Sequence, residues 1–282
     1  MTQFDLPAYY LRTLVSGIHI DPLYSLSGLA VGILVGLTGV GGGSLMTPLL
    51  VLLFHIHPAT AVGTDLLYAS ITKGVGTVIH GFKNTVNWMI VGLLALGSIP
   101  TTIATLYAIH HFGKSDAMSS LITHVLGYAL FVTAGLLLLR GVIRKMAEKR
   151  YEKAEAEHKP LHTGRRAMLT LLTGLVLGFL VSLSSVGAGA LGVTALILLY
   201  PQLPTVRIVG SDIAHAVPLT FLAGMGYFFI GNVDISLLAS LLLGSIPGII
   251  IGSLFAAKVP EKVLRALLAA VLTLVGFKLV TA

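Results

Sequence analysis

Ser27-Gly-Leu-Ala-Val-Gly-Ile-Leu-Val-Gly-Leu-Thr-Gly-Val-Gly-Gly-Gly43 carries the strongest constraint on how this chain folds. It lies in an apolar segment, residues 25–54, that exceeds the ~20 residues of an ordinary membrane span. The pieces flanking its last glycines, 25–38 and 44–54, are each too short to cross ~30 Å of hydrocarbon. Each glycine weakens a helix by about 1 kcal/mol relative to alanine. The helix is therefore expected to break within Thr38-Gly-Val-Gly-Gly-Gly-Ser44. Such a segment is either a broken span or a re-entrant hairpin that leaves by the face it entered.

The same pattern returns. Thr173-Gly-Leu-Val-Leu-Gly-Phe-Leu-Val-Ser-Leu-Ser-Ser-Val-Gly-Ala-Gly189 matches the first stretch at an offset of 146 residues. Val62-Gly-Thr-Asp65 matches Val209-Gly-Ser-Asp212, and Gly97-Ser-Ile-Pro100 matches Gly244-Ser-Ile-Pro247, both at an offset of 147. Three blocks in one register, with one residue inserted between them, indicate duplication. Apolar segments fall at roughly 25–54, 59–80, 86–110 and 117–139, then at 168–200, 207–230, 235–257 and 261–281.

Composition agrees with a bilayer environment. The chain is 55% hydrophobic and 10% charged, where soluble domains carry about 25% charged residues. Its 32 glycines suit membrane helices, in which glycine is more frequent than in soluble ones. The net charge of +7 comes mostly from a loop between Arg140 and Arg166, a pattern of topogenic charge rather than of nucleic-acid binding. With no cysteine, a thiol relay, a disulfide framework and an iron–sulfur site within the chain are excluded. The N-terminus, with Asp5 and Asp21, does not read as a signal peptide. Tyr9, Tyr10, Arg12 and Tyr24 suit a headgroup region instead. The run Arg144–Glu157 has mixed charge and high helix propensity, and is expected to extend the fourth helix before Pro160 and Gly164 end it.

Basic residues choose between the two topologies. With the Arg140–Arg166 loop inside, opening segments that cross once leave Lys114, Arg207, Lys258, Lys262 and Arg265 outside. Re-entrant segments leave only Arg12, Lys114 and Lys278 there. The positive-inside rule favours re-entrance. Each half then crosses three times, so the halves are inverted. The expected fold is an all-α polytopic membrane protein of two inverted repeats, each a glycine-broken re-entrant helical hairpin plus three transmembrane helices. Its parts are an interfacial segment (1–24), a first transmembrane repeat (25–140), a basic cytoplasmic linker (141–167) and a second transmembrane repeat (168–282).

Inverted repeats with broken helices are the architecture of secondary transporters, and irregular backbone at membrane depth is tolerated only under protein or against a water-filled cavity. The second half-helices should begin at Gly43-Ser44 and Gly189-Ala190. Their N-termini carry unpaired N–H groups and about half a positive charge, which makes them candidate seats for a small anion. The candidate binding residues are Thr38, Gly41, Gly42, Gly43, Ser44, Thr47, Ser184, Ser185, Gly187 and Gly189. Packing of small residues is the competing explanation of the glycines. Lys73, two turns beyond Asp65, adds a cation. Asp65, Asp212 and His215 are candidate coupling groups, because an ionisable residue within a membrane is costly and marks function by default. Alternatively, each Asp caps a helix beginning at its Gly-Thr or Gly-Ser.

His55, His57, His110 and His111 lack partners at metal-site spacing and read as interfacial, as do Asn87 and Trp88. Gly39-Val-Gly-Gly-Gly lacks both the preceding strand and the following Lys-Ser/Thr of a nucleotide loop. No nucleophile motif, zinc helix or cofactor is expected. The implied partners are a small anionic substrate, the lipid bilayer and, as an option, a second copy of the chain.

Gly36-Leu-Thr-Gly-Val-Gly-Gly-Gly-Ser-Leu-Met-Thr-Pro48 followed by Ala61-Val-Gly-Thr-Asp65 resembles the opening of the TauE/SafE family, the sulfite exporter or toluene-sulfonate uptake permeases. Ser185-Val-Gly-Ala-Gly-Ala190, Val209-Gly-Ser-Asp212 and Gly244-Ser-Ile-Pro247 resemble its second repeat. The second copy departs in having Ala188 for the middle glycine and Thr194 where the first has Pro48. The resemblance spans most of residues 25–281. It implies transport, by export in the expected reading, of sulfite, organosulfonates or similar anions across the inner membrane, with proton coupling as an option. The rival readings are a cation or metal transporter using Asp65, Asp212 and His215, and a membrane enzyme or assembly subunit without transport.

Overall fold

The computed structural model describes residues 17–38, 43–82, 86–112, 115–156, 163–187, 189–255 and 261–281. These form ten helices and no strand. The first half holds α1 (Pro22–Thr38), α2 (Gly43–Leu52), α3 (Pro58–Phe82), α4 (Trp88–Phe112) and α5 (Asp116–Ala156). The second holds α6 (Thr163–Ser184), α7 (Ala190–Leu199), α8 (Thr205–Ile230), α9 (Ile235–Phe255) and α10 (Glu261–Thr281). Each half is thus a pair of helices either side of the glycine motif, followed by three long ones.

Among the described residues, α4, α5, α6, α8 and α9 contain stretches long and apolar enough to cross a membrane. Large apolar side chains such as Leu254, Leu274 and Phe277 lie on the outer surface, where lipid rather than water satisfies them. The protein is a multi-pass membrane protein.

The broken segments differ in detail from the sequence expectation. Helix α2 starts at Gly43 and α7 at Ala190, as the glycine positions require. Residues 39–42 lie outside the described residues. In the second half Ser185, Gly187 and Gly189, between α6 and α7, all take positive φ. At Gly187 (φ 123°) and Gly189 (φ 128°) only glycine adopts this conformation without strain. Helix α6 begins five residues earlier than expected. Its 22 residues span about 33 Å, whereas α2 and α7 have 10 residues each, about 15 Å. The added turn carries Arg165 and Arg166, and polar residues extend a helix readily into a headgroup layer. Gly164 therefore opens α6 rather than ending the preceding helix. The extension of the fourth long helix is present: α5 runs 41 residues, about 60 Å, and its polar end carries an exposed Arg144–Glu148 pair at 2.8 Å.

The helices pack across the repeat boundary. Helix α1 of the first half lies on α9 of the second, and α6 lies on α4. Glycines make these contacts backbone to backbone. A Cβ at Gly28 would meet Leu241 O and one at Gly32 would meet Ser245 O. One at Gly174 would meet Leu94 O and one at Gly178 would meet Ser98 O. Each contact in the first list has its counterpart in the second at the repeat offset. The packing explanation of the glycines is thus correct for these four. It does not account for Gly187 and Gly189, whose φ values require glycine independently of any neighbour.

Helices α3 and α8, which carry the two Asp residues, lie against each other. Gly63 abuts Tyr227 and Asn232, while Gly224 abuts Leu67. Numbering therefore rises along one helix as it falls along the other.

Candidate functional site

The Gly-Thr-Asp and Gly-Ser-Asp motifs sit inside helices. Helix α3 begins at Pro58 and α8 at Thr205, so neither Asp65 nor Asp212 caps a helix start. The preceding hydroxyls tie neighbouring helices instead. Thr64 Oγ1 accepts from Asp234 N–H at 3.1 Å, and Ser211 Oγ accepts from Asn87 N–H at 2.8 Å. Asn87 and Asp234 in turn accept from first-turn amides of α4 and α9 through their side chains. With Thr64 and Ser211 held this way, Asp65 and Asp212 turn into the interior, where both are buried.

Around Asp65 the walls are hydroxyls. Thr47 of α2 donates to Asp65 Oδ2. Ser185, in the turn between α6 and α7, stands beside the same carboxyl. Neither Asp65 Oδ1 nor Ser185 Oγ has a hydrogen-bond partner among the described residues. A group from the second broken segment thus reaches the acidic residue of the first half. The two breaks also share packing: Leu45, in the first turn of α2, packs against the apolar cluster that contains Val186 and Ala190.

Around Asp212 the wall is glycine. Its Oδ1 lies where a Cβ on Gly192 would be, over the first turn of α7, and it too accepts no hydrogen bond among the described residues. Thr194 of α7 bonds back to Ala190 O at 2.7 Å rather than reaching the carboxyl. His215, one turn along from Asp212 and buried with it, shares a 2.9 Å hydrogen bond with Ser98 of α4, while its Nδ1 has no partner. Its counterpart in the first half is Tyr68, whose hydroxyl faces Ser245 of α9. Lys73 is within electrostatic reach of Asp65, Asp212 and His215, and Arg140 of α5 is within reach of Asp212.

The structure therefore gathers Thr47, Asp65, Lys73, Ser185, Asp212 and His215 into one polar interior, with Gly187 and Gly189 shaping its turn. Ser184 is spent locally: its Oγ donates to Leu180 O at 2.6 Å, closing the end of α6. Gly43 begins α2. Gly41 and Gly42 and the side chains of Thr38 and Ser44 lie outside the described residues, as do Tyr9, Tyr10 and Arg12. Ser98, Ser245 and Tyr68 are members of the site that the motif reading did not single out. The signal was available, since Ser98 and Ser245 occupy the repeated Gly-Ser-Ile-Pro blocks and Tyr68 sits at the repeat position of His215. Among the described residues no three His or carboxylate side chains gather as a metal site. His57 meets Ser119 at 3.1 Å, and Trp88 is exposed at the start of α4.

Such a fold and interior, a helical membrane body with buried charges beside interrupted helices, define a polytopic membrane transporter. The family model described as Sulfite exporter TauE/SafE matches residues 24–279, and the chain belongs to that family. It is 42% identical over 257 residues to the "Probable membrane transporter protein YjnA" of Bacillus subtilis (strain 168), covering 90% of this chain and 98% of that protein. It is 29% identical to the "Probable membrane transporter protein YdhB" of the same organism, over 83% of this chain and 90% of that protein. It is 24% identical to the "Probable membrane transporter protein MJ0441" of Methanocaldococcus jannaschii, over 90% and 93%. No solved structure matches. The chain is a membrane transporter of this family, not an enzyme.

Proposed function

We propose that the protein is a secondary transporter of small sulfur-containing anions such as sulfite or organosulfonates, exporting them by alternating access with proton coupling. The observation that carries the reading is the meeting of two interrupted helices beside buried charge. Ser185 of one break stands at Asp65, Gly192 of the following half-helix stands at Asp212, and Lys73 acts on both carboxylates. The N-termini of α2 and α7 supply donors and a partial positive charge for an anion, and Lys73 adds a full one. The family's description supports a sulfur oxyanion and the outward direction.

The repeats are proposed to be inverted in the membrane, with the 141–167 linker cytoplasmic. The opposed course of α3 and α8, the repeat-related Asp helices, supports this, because repeats related by an axis in the membrane plane run oppositely. Purified protein is expected to bind sulfite and organosulfonates, and Lys73→Ala is expected to weaken that binding. Selective cation binding with no oxyanion affinity would overturn the proposal. Unchanged affinity in Lys73→Ala would remove Lys73 from the site.

A further inference from the structure

Asp212 lies beside the first turn of α7, next to the N–H groups that an anion would use. Helix α7 has no side-chain cap at its N-terminus; Gly192 and Val193 N–H bond back to Gly187 and Gly189 O, which leaves the N–H groups of Ala190 and Leu191 as those open to an anion. A carboxylate gains from the positive end of a helix dipole at that position. Asp212 Oδ1 lies against Gly192 in the first turn of α7, in space that only glycine leaves open, and accepts no hydrogen bond among the described residues. The buried carboxylate thus lies against the first turn of α7 with one oxygen, Oδ1, unpartnered among the described residues. Asp65 differs, since Thr47 holds its Oδ2.

Cations of the protein itself already act on Asp212. Among the described residues, the charged groups facing Asp212 from the helices packed around it are Lys73 of α3 and Arg140 of α5, with Asp65 acting on the same Lys73. His215, on Asp212's own helix, is engaged through Nε2 with Ser98 of α4. When these carboxylates and cations are all ionised, an incoming anion adds a negative charge beside the buried Asp212, and a proton on that carboxylate offsets it. An uncompensated charge at membrane depth costs at least ~2.5 kcal/mol.

We propose that Asp212 is a tethered anion that competes with the substrate for the N-terminus of α7, and that one proton bound at its carboxylate accompanies each anion bound. The proton comes from the aqueous side open at the time and adds to Asp212 Oδ1. The neutral acid loses its attraction to the helix terminus and to Lys73, and the substrate anion takes both. Release of the anion lets the carboxylate return and the proton leave. A monoanion then moves with no net charge, and the direction of net flux follows the combined gradients of anion and proton. This rests on the oxyanion-transport reading above and adds to it the coupling residue and the stoichiometry.

The test is binding of methanesulfonate, whose own charge stays constant, to the purified full-length protein between about pH 5 and about pH 8. Over the range in which Asp212 is ionised in the unliganded protein, affinity is expected to fall about tenfold per unit of rising pH, the slope of one linked proton. Asp212→Asn is expected to bind with an affinity that does not change with pH. Should that variant fail to fold, Gly192→Ala, whose methyl displaces the carboxylate from α7, is expected to reduce the slope. Methanesulfonate binding with no pH dependence in the unaltered protein overturns the inference and leaves the transport reading standing. Retention of the full slope in Asp212→Asn, or in a folded Gly192→Ala, does the same. Absence of sulfonate and sulfite binding at every pH overturns both.

Discussion

Asp65 and Asp212 stand at one position of a duplicated motif, yet their surroundings have diverged. Asp65 is lined by hydroxyls, with Thr47 donating to it and Ser185 beside it. Asp212 is lined by Gly192, and its Oδ1 receives no donor among the described residues. One turn further along, the first half has Tyr68 facing Ser245, whereas the second has His215 bonded to Ser98. The framework around the two is the same: Thr64 and Ser211 tie equivalent loops, and Gly28, Gly32, Gly174 and Gly178 seat equivalent helices. Duplication fixed where the acidic groups sit, and later change altered what each meets. The scaffold should therefore respond symmetrically to substitution and the site should not.

The largest effect is expected in the scaffold. In Gly28→Leu and Gly174→Leu the side chain must enter the backbone carbonyl of the facing helix, so each should lose about 3 kcal/mol or more. Thermal unfolding in detergent should place the two variants close together, and a large difference between them would break the symmetry. A smaller effect is expected where the halves part. Thr47→Val removes the donor from a buried carboxyl and should cost about 1–3 kcal/mol. Substitution of the hydroxyl that α7 carries in its own first turns, Thr194→Val, loses only a bond to Ala190 O and should cost less than about 1 kcal/mol. Equal costs would show that the two walls are alike after all.

Smaller again is the pair in the repeated Gly-Ser-Ile-Pro blocks. Ser98→Ala leaves His215 without its 2.9 Å partner and should cost about 1 kcal/mol. Ser245→Ala should cost less, because the Tyr68 hydroxyl has no hydrogen-bond partner among the described residues to begin with. The smallest change is at Gly135, where nothing lies within 4 Å of an added Cβ. Gly135→Ala should gain up to about 1 kcal/mol from helix propensity, and a loss there would mean an unrecognised contact on that face.

Much of the scaffold was legible in the sequence, because its causes are local. Glycine runs break helices, and a common offset marks repeated blocks. These gave the start of α2 at Gly43, that of α7 at Ala190 and the polar extension of α5. The early start of α6 was missed because Arg165 and Arg166 read as linker, although a charged turn can be helical outside the hydrocarbon. The swap that places α1 on α9 and α6 on α4 was not legible. It depends on which glycine meets which carbonyl across more than two hundred residues for α1 and α9, and no local pattern carries that pairing. At the site, Asp65, Asp212, His215 and Lys73 stood out as ionisable groups in apolar helices. Ser98, Ser245 and Tyr68 did not, since a serine or tyrosine in a membrane helix acquires meaning only from the group opposite.

Oxyanion passage through the polar interior between the two interrupted helices is the proposed function on which the other proposals depend. Proteoliposomes loaded with sulfite or an organosulfonate and diluted into labelled anion test it directly. Saturable exchange of the labelled anion is expected, and it should be lost or strongly reduced in Lys73→Ala. Exchange of a metal cation with no movement of either anion would contradict it.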